Sequence, residues 1–514
     1  MTTSRRPRRR VAGAVAALAV AVLTAACTSL QPVPFPGATA GAVSAAPRPD
    51  LGRYYSQRLR WSGCGEGAEC ATLTVPLDYA RPGSRDIGIA VLRIKARNQQ
   101  QRIGSLVVNP GGPGGSGTAY ARAADQIVGA SVRDYFDVVG FDPRGVGASA
   151  PVDCLSDSQL DRFLSVDPTP DNGPEEQQLR DAGTALATGC RARTGELLGH
   201  VSTPDAARDM DVLRAALGDL RLSYLGKSYG TFLGATYADL FPRRVGRFVL
   251  DGVVPPDLTS AEMAQGQARG FELATRSYVQ RCVEQGGCPL GETVDAGLAW
   301  IRGFLSRVDS RPLPSGDRAV PQLDEAWASY GIAQALYDQG SWDRLTEALR
   351  AGAAGDGSPL MRLADDYARR RPGGGYTSNI MESMYAVNCL DRPDSPDLAT
   401  YRARARRLSA VAPTWGELLA WGSLPCGQWP VRGGTPPHKV TAAGSAPIVV
   451  LGTTRDPATI YEWARRLRAQ LANAALVTLD GDGHTAYGRG SGCVDDAIDT
   501  YYVTGQTPKD GLTC

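Results

Sequence analysis

The sequence predicts an α/β fold: a mostly parallel β-sheet flanked by helices, interrupted by a mainly helical segment. Three observations predict it. Short, continuous apolar runs bounded by turn residues recur along the chain with helical stretches between them, the pattern of strands buried on both faces. The middle portion, residues 255–440, offers helical stretches and few strand candidates. A serine spaced between two glycines, Gly226-Lys227-Ser228-Tyr229-Gly230, joins one apolar run directly to a helix-like stretch.

A chain of 514 residues exceeds what one compact core holds comfortably, so two lobes are expected. Hydrophobic residues at 43% and charged residues at 21% place it among ordinary globular proteins. The formal net charge of +2 misleads, because the five arginines Arg5, Arg6, Arg8, Arg9 and Arg10 outweigh it. The remainder is slightly acidic and offers no basic patch, which leaves nucleic-acid binding without support.

Residues 1–26 read as an export signal, with an arginine-rich start and a small-residue apolar run over 11–26. That run is shorter than the roughly 20 residues a bilayer-spanning helix needs. Leu23-Thr24-Ala25-Ala26-Cys27 resembles the lipobox of bacterial lipoproteins, in which the cysteine is lipidated, although Thr24 stands where Leu or Val is usual. Ordinary cleavage near the same place is the plainer alternative. Residues 27–53, rich in Ala, Pro, Gly and Ser, are expected to form a flexible tether. The expected location is extracytoplasmic, either secreted or attached to the membrane only through a lipid anchor at Cys27. Cysteine parity agrees: of 11 cysteines, setting Cys27 aside leaves an even number, as an oxidising compartment favours. Pairing of sequence neighbours is the simplest connectivity: Cys64–Cys70, Cys154–Cys190, Cys282–Cys288, Cys389–Cys426 and Cys493–Cys514. No cysteine shows zinc-ligand spacing with histidine, so these ten are read as structural and no metal site is expected.

The first part of the core is expected over 54–254, opening with strands 71–76 and 87–95 as an antiparallel hairpin. Apolar runs at 105–108, 136–140, 222–225 and 247–250 follow as buried strands, and 447–451 and 475–479 complete the set within a C-terminal part, 441–514. Residues 205–217 form a helix with Ala206, Met210, Leu213 and Leu217 on one face. In the 255–440 insertion, helices are expected at 261–285, 294–308, 324–336, 342–351 and 358–370. Such an insertion forms a cap over the strand carboxyl ends, where open α/β sheets bind ligands.

Chemistry concentrates at Ser228. A serine in a tight strand-to-helix turn needs small neighbours, and the helix start behind it presents N–H groups to developing negative charge. Its hydroxyl needs a base, and the chain has only three histidines, His200, His438 and His484. His484, in Gly481-Asp482-Gly483-His484-Thr485 after the last apolar run, is the candidate; the other two lack context. Asp456, in the loop after 447–451, is the preferred partner for the imidazole, with Asp480 and Asp482 as alternatives. An oxyanion hole requires two backbone donors. Tyr229 supplies one, and the glycine-rich loop Asn109-Pro110-Gly111-Gly112-Pro113-Gly114-Gly115 supplies the other, with Gly112 favoured over Gly111. That loop lacks the Lys-Ser/Thr ending of a phosphate-binding loop. Phe141-Asp142-Pro143-Arg144-Gly145 is read as a structural brace with a buried Asp/Arg pairing.

Taken together, 109–117, 140–149, 226–230, Thr454-Arg455-Asp456-Pro457 and Gly483-His484-Thr485 resemble the actinobacterial tripeptidyl aminopeptidases, exported relatives of proline iminopeptidase. The likeness covers roughly residues 54–514. It implies the α/β-hydrolase fold with an inserted helical cap, no cofactor, and peptide substrates. It further implies release of di- or tripeptides from free N-termini through a Ser-His-Asp triad and an acyl-enzyme. Proline iminopeptidases usually carry His-Gly-Gly-Pro where this chain has Pro110-Gly111-Gly112-Pro113. An exopeptidase must hold the substrate's α-ammonium, and the insertion offers Glu382 and Asp391 for it. A carboxylesterase or lactonase on the same core is the alternative activity, and a non-catalytic binding protein is the third reading.

Overall fold

The computed structural model describes residues 1–3, 30–33 and 45–514. Cys27, nearly all of the export segment and much of the tether lie outside the described residues. Among the described residues no helix is long and apolar enough to cross a membrane.

Twelve strands occur among the described residues: β1 (Ser62–Gly63), β2 (Ala68–Pro76), β3 (Asp86–Ile94), β4 (Gly104–Asn109), β5 (Phe136–Phe141), β6 (Leu222–Lys227), β7 (Val245–Asp251), β8 (Leu313–Pro314), β9 (Gln322–Leu323), β10 (Ile448–Arg455), β11 (Ala474–Asp482) and β12 (Leu512–Thr513). Strands β8 and β9 pair with each other; the other ten form one sheet in the order β1-β2-β3-β5-β4-β6-β7-β10-β11-β12. The first three contacts along that order are antiparallel, including the β2–β3 hairpin, and every contact from β5 to β12 is parallel.

Alternation of side chains explains why the central strands read as unbroken apolar runs. Val107, Val139, Tyr224 and Leu250 enter the core on one face, while Leu106, Val138, Leu225 and Val249 enter the core on the other. The edge strands β1 and β12 are two residues long and carry no such signal. Helix Thr203–Leu217 starts at Ser202, whose hydroxyl accepts the Asp205 N–H, and stops at left-handed Gly218.

Between Ser260 and Gly427 the chain is helical apart from β8 and β9, and it builds a separate core around Tyr278, Ile301, Trp327, Leu345 and Leu360. Local signals set the helix starts. Thr259 and Glu262 form a capping box for Ser260–Glu284, and Asp324 accepts from the Trp327 N–H ahead of Glu325–Leu336. The same core also takes Leu160 and Leu164 from helix Asp157–Leu164, which lies between β5 and β6. The helical layer is therefore fed by two excursions from the sheet. Disulfides join the five neighbouring cysteine pairs named above.

The brace after β5 is structural, but its two charges do not pair with each other. Asp142 accepts from Ser116 Oγ, Thr118 N–H and Oγ1, and Ala148 N–H. Arg144 reaches away to Asp209, with both bonds at 2.7 Å, and to three backbone carbonyls. Two residues apart on a turn, the side chains leave on different sides.

Candidate active site

Strand β6 ends at Lys227 and helix Tyr229–Leu240 begins one residue later, so Ser228 alone makes the turn, at φ 55° and ψ −126°. A non-glycine residue in this region is strained and persists only where its surroundings dictate it. A Cβ on Gly226 would strike the Gly230 carbonyl, and one on Gly111, itself at φ 93°, would lie 2.9 Å from Ser228 Cβ and 2.5 Å from the Lys227 carbonyl. The Ser228 N–H donates to the Asp251 carbonyl at 2.9 Å, and its own carbonyl accepts from Thr231 N–H and Oγ1.

His484 lies beyond β11, with Nδ1 2.9 Å from both carboxylate oxygens of Asp456. Asp456, 1% exposed, also accepts from the N–H groups of Ala458, Thr459 and Thr485 and from Thr459 Oγ1. Charge on this carboxylate is thus met by five donors, counting the imidazole. The alternatives are engaged elsewhere: Asp480 and Asp482 both accept from Arg455. His200 offers its carbonyl to Arg144, and His438 is a surface partner of Asp239.

One corner carries both halves of the site. The Asp251 carbonyl holds the Ser228 N–H, while the Asp251 carboxylate accepts from Ala486 and Tyr487, just past His484. A Cβ on the adjoining Gly252 would stand 3.3 Å from His484 Cε1. From the helical layer, the Tyr337 carbonyl accepts the His484 N–H at 2.9 Å and its ring meets the imidazole edge-on at 5.1 Å. The Nε2 of His484 is buried without a hydrogen-bond partner, so it is not bonded to Ser228 Oγ here.

The Gly111 N–H donates to Asn109 Oδ1 at 2.9 Å, whereas Gly112 lies on the cavity wall. Tyr229 occupies the first position of its helix, where the backbone N–H has no intrahelical acceptor. Lys227, inside the serine motif, is a structural strut: its Nζ donates to the Tyr487 carbonyl, and burial lowers its pKa.

Ser228, Tyr229, Gly112 and Thr459 open onto a cavity of about 300 Å³ whose lining also includes Tyr330, Tyr337, Tyr367 and Tyr385. Its lining contains no carboxylate, and Arg392 is its charged side chain. On helix Ile380–Asp391, Met381, Met384, Tyr385 and Asn388 form the cavity face by helical period. Glu382 and Asp391, proposed from sequence to hold an amine, are not on that wall. Glu382 accepts from the N–H groups of Cys154 and Leu155, and Asp391 from Thr203 N–H and Oγ1. Burial pushes the Asp391 carboxyl up to about 6. The carboxylates beside the cavity are instead Asp167 and Glu325, next in sequence to the wall residues Val166, Pro168 and Ala326. Together with Asp309 they lie within 4.8 Å of one another. Burial, and then the neighbouring acids, push Glu325 up to about 7.

Sequence reasoning missed Thr459, Asp251, Tyr337 and Arg392. Thr459 had a weak signal, standing three residues after Asp456 where an Asp-led turn closes. The other three act through contacts between distant segments.

A family model described as TAP-like protein matches residues 412–514. Along most of its length the chain is similar to curated proteins. It is 37% identical to the serine protease Hip1 of Mycobacterium tuberculosis over 89% of this chain and 91% of that protein. It is 38% identical to carboxylesterase B of the same organism, over 88% and 89%. It is 34% identical to the tripeptidyl aminopeptidase of Streptomyces lividans, over 89% and 86%. With the serine turn, the histidine–aspartate pair and the strand order already in place, these likenesses settle the family: the chain belongs to the tripeptidyl aminopeptidase-like α/β-hydrolases.

Proposed function

We propose that the protein is a serine hydrolase that removes short peptides, two or three residues long, from free peptide N-termini. The observation that carries the reading is a strained serine and a histidine held by a buried aspartate, both tied to Asp251 at one corner.

In the proposed reaction His484 Nε2 takes the Ser228 hydroxyl proton as Oγ attacks the substrate carbonyl carbon. Hydroxyl–imidazole contacts commonly tighten only when substrate seats. The oxyanion forms opposite the N–H groups of Gly112 and Tyr229. Asp456 fixes the tautomer that leaves Nε2 free to accept and stabilises the imidazolium. His484 then protonates the leaving amine, and water, deprotonated by the same imidazole, releases the acyl group from Ser228. The relatives' names support peptide cleavage; the one named carboxylesterase B supports ester cleavage as the second reading, because this machinery serves both bonds.

The cavity is of a size that takes a small ligand rather than a folded chain. Tyrosine ring faces attract cations, so this wall suits an α-ammonium. Export, with Cys27 as lipid anchor, rests on the leader sequence and is consistent with the disulfides.

The test is mass spectrometry of products from a mixed pool of free and N-acetylated peptides. The expected result is loss of two or three residues from free N-termini and none from acetylated ones. Equal cleavage of acetylated peptides and simple esters would transfer the assignment to an esterase.

A further inference from the structure

Arg392 ends helix Ile380–Asp391 and is 4% exposed. Its Nε donates to the Leu258 carbonyl at 3.1 Å, and its guanidinium lies 4.3 Å above the Phe232 ring. Its Nη2 is buried with no partner, and the residue lines the cavity that Ser228 opens onto. Adjacent Asp391 does not bond it, because Thr203 occupies both of that carboxylate's oxygens. Three other buried arginines are treated differently. Arg144 is held by Asp209, Arg404 by Asp394, and Arg370 by Asp161, Asp317 and Asp365.

A guanidinium does not shed its proton in a protein, so a buried one must find acceptors or bear the cost of an unmade bond. Because Arg392 lines the cavity, a ligand seated there is the available source of the missing acceptor. A second donor without a partner, Trp421 Nε1, is also on this wall and 2% exposed. The site is close to the reacting centre: Phe232, beneath the guanidinium, packs edge-on against Tyr229 at 6.0 Å, and Tyr229 directly follows Ser228.

We propose that Arg392 is a specificity residue that binds a carboxylate on the substrate, an acidic side chain within the peptide segment held in the cavity. Carboxylate matches the observations because the wall carries one cation and no anion, and a planar guanidinium presents paired donors to it. The inference rests on the reading of the cavity as the peptide site, and its test does not depend on cleavage.

Calorimetry on the full chain carrying Ser228→Ala would use free-amino peptides in pairs, Glu against Gln, at each of the first three positions. At one position the Glu peptide is expected to bind about tenfold or more tightly, the scale of a charge-assisted hydrogen bond. Adding Arg392→Gln is expected to erase that ratio. Equal affinities at every position, absence of binding by every peptide, or a ratio that survives Arg392→Gln in a folded double variant would each overturn the inference. Should the double variant not fold, the Glu/Gln comparison in Ser228→Ala still decides. Discrimination without turnover by the parent enzyme would leave this inference standing and remove the peptidase reading instead.

Discussion

The corner around Ser228 and the helical side of the cavity treat their charged groups differently. At the corner, the charges are matched within the protein: Asp456 and Asp251 each gather backbone N–H groups, and Arg144 is saturated by Asp209 and carbonyls, while the neutral His484 Nε2 and Asn109 Nδ2 stay without partners. The helical side of the cavity leaves a charge unmatched, with Arg392 Nη2 and the neutral Trp421 Nε1 buried without partners, and it crowds Asp167, Asp309 and Glu325 together beside Ala326. The first region fixes geometry and the second leaves bonds for a ligand to complete. A polar group satisfied by the protein reports on the fold; one left unsatisfied beside a cavity reports on recognition.

That contrast sharpens into ranked expectations. Ser228→Ala and His484→Ala should each lower kcat/KM by about a thousandfold or more, and Asp456→Asn by a similar order through the wrong imidazole tautomer. Steady-state kinetics with a free-amino peptide checks this, and retained activity in any of the three would dissolve the corner as a catalytic unit. Next come the two arginines. Arg144→Met strands a buried carboxylate and should destabilise the fold by about 3–5 kcal/mol, whereas Arg392→Met should cost less than about 1 kcal/mol. Denaturant melts of both variants decide it, and equal losses would erase the distinction between the regions.

A pH-dependent effect is expected at Glu325. Its carboxyl keeps a proton in the folded state up to about pH 7, against a usual value of 4.5, through burial and then neighbouring acids. Between those values the folded state binds more protons than the unfolded chain, so stability falls as pH rises through the window. Glu325→Gln should therefore be more stable than the parent by about 3 kcal/mol at pH 8 and indistinguishable from it at pH 4. A gain of the same size at both pH values would mean that proton release is not its source.

The same division governs what the sequence made legible. Central strands, the Ser228 turn, the glycine loop and the neighbouring disulfides follow from local chemistry: apolar continuity, close backbone approach, short covalent loops. The pairing of His484 with Asp456 was legible because few histidines exist and loops after strands are where such groups stand. Asp251 was hidden at the end of an apolar run, since its use depends on a loop more than 200 residues downstream. Glu382 and Asp391 were misleading for the same reason. A helix sequence shows which residues share a face, but only packing decides which face meets the cavity.

Fluorophosphonate labelling of the folded protein, followed by peptide mapping, tests the central claim most directly. The account expects a single label on Ser228 that is lost in His484→Ala while thermal unfolding stays unchanged. Label on another residue, or undiminished labelling without the imidazole, would contradict it.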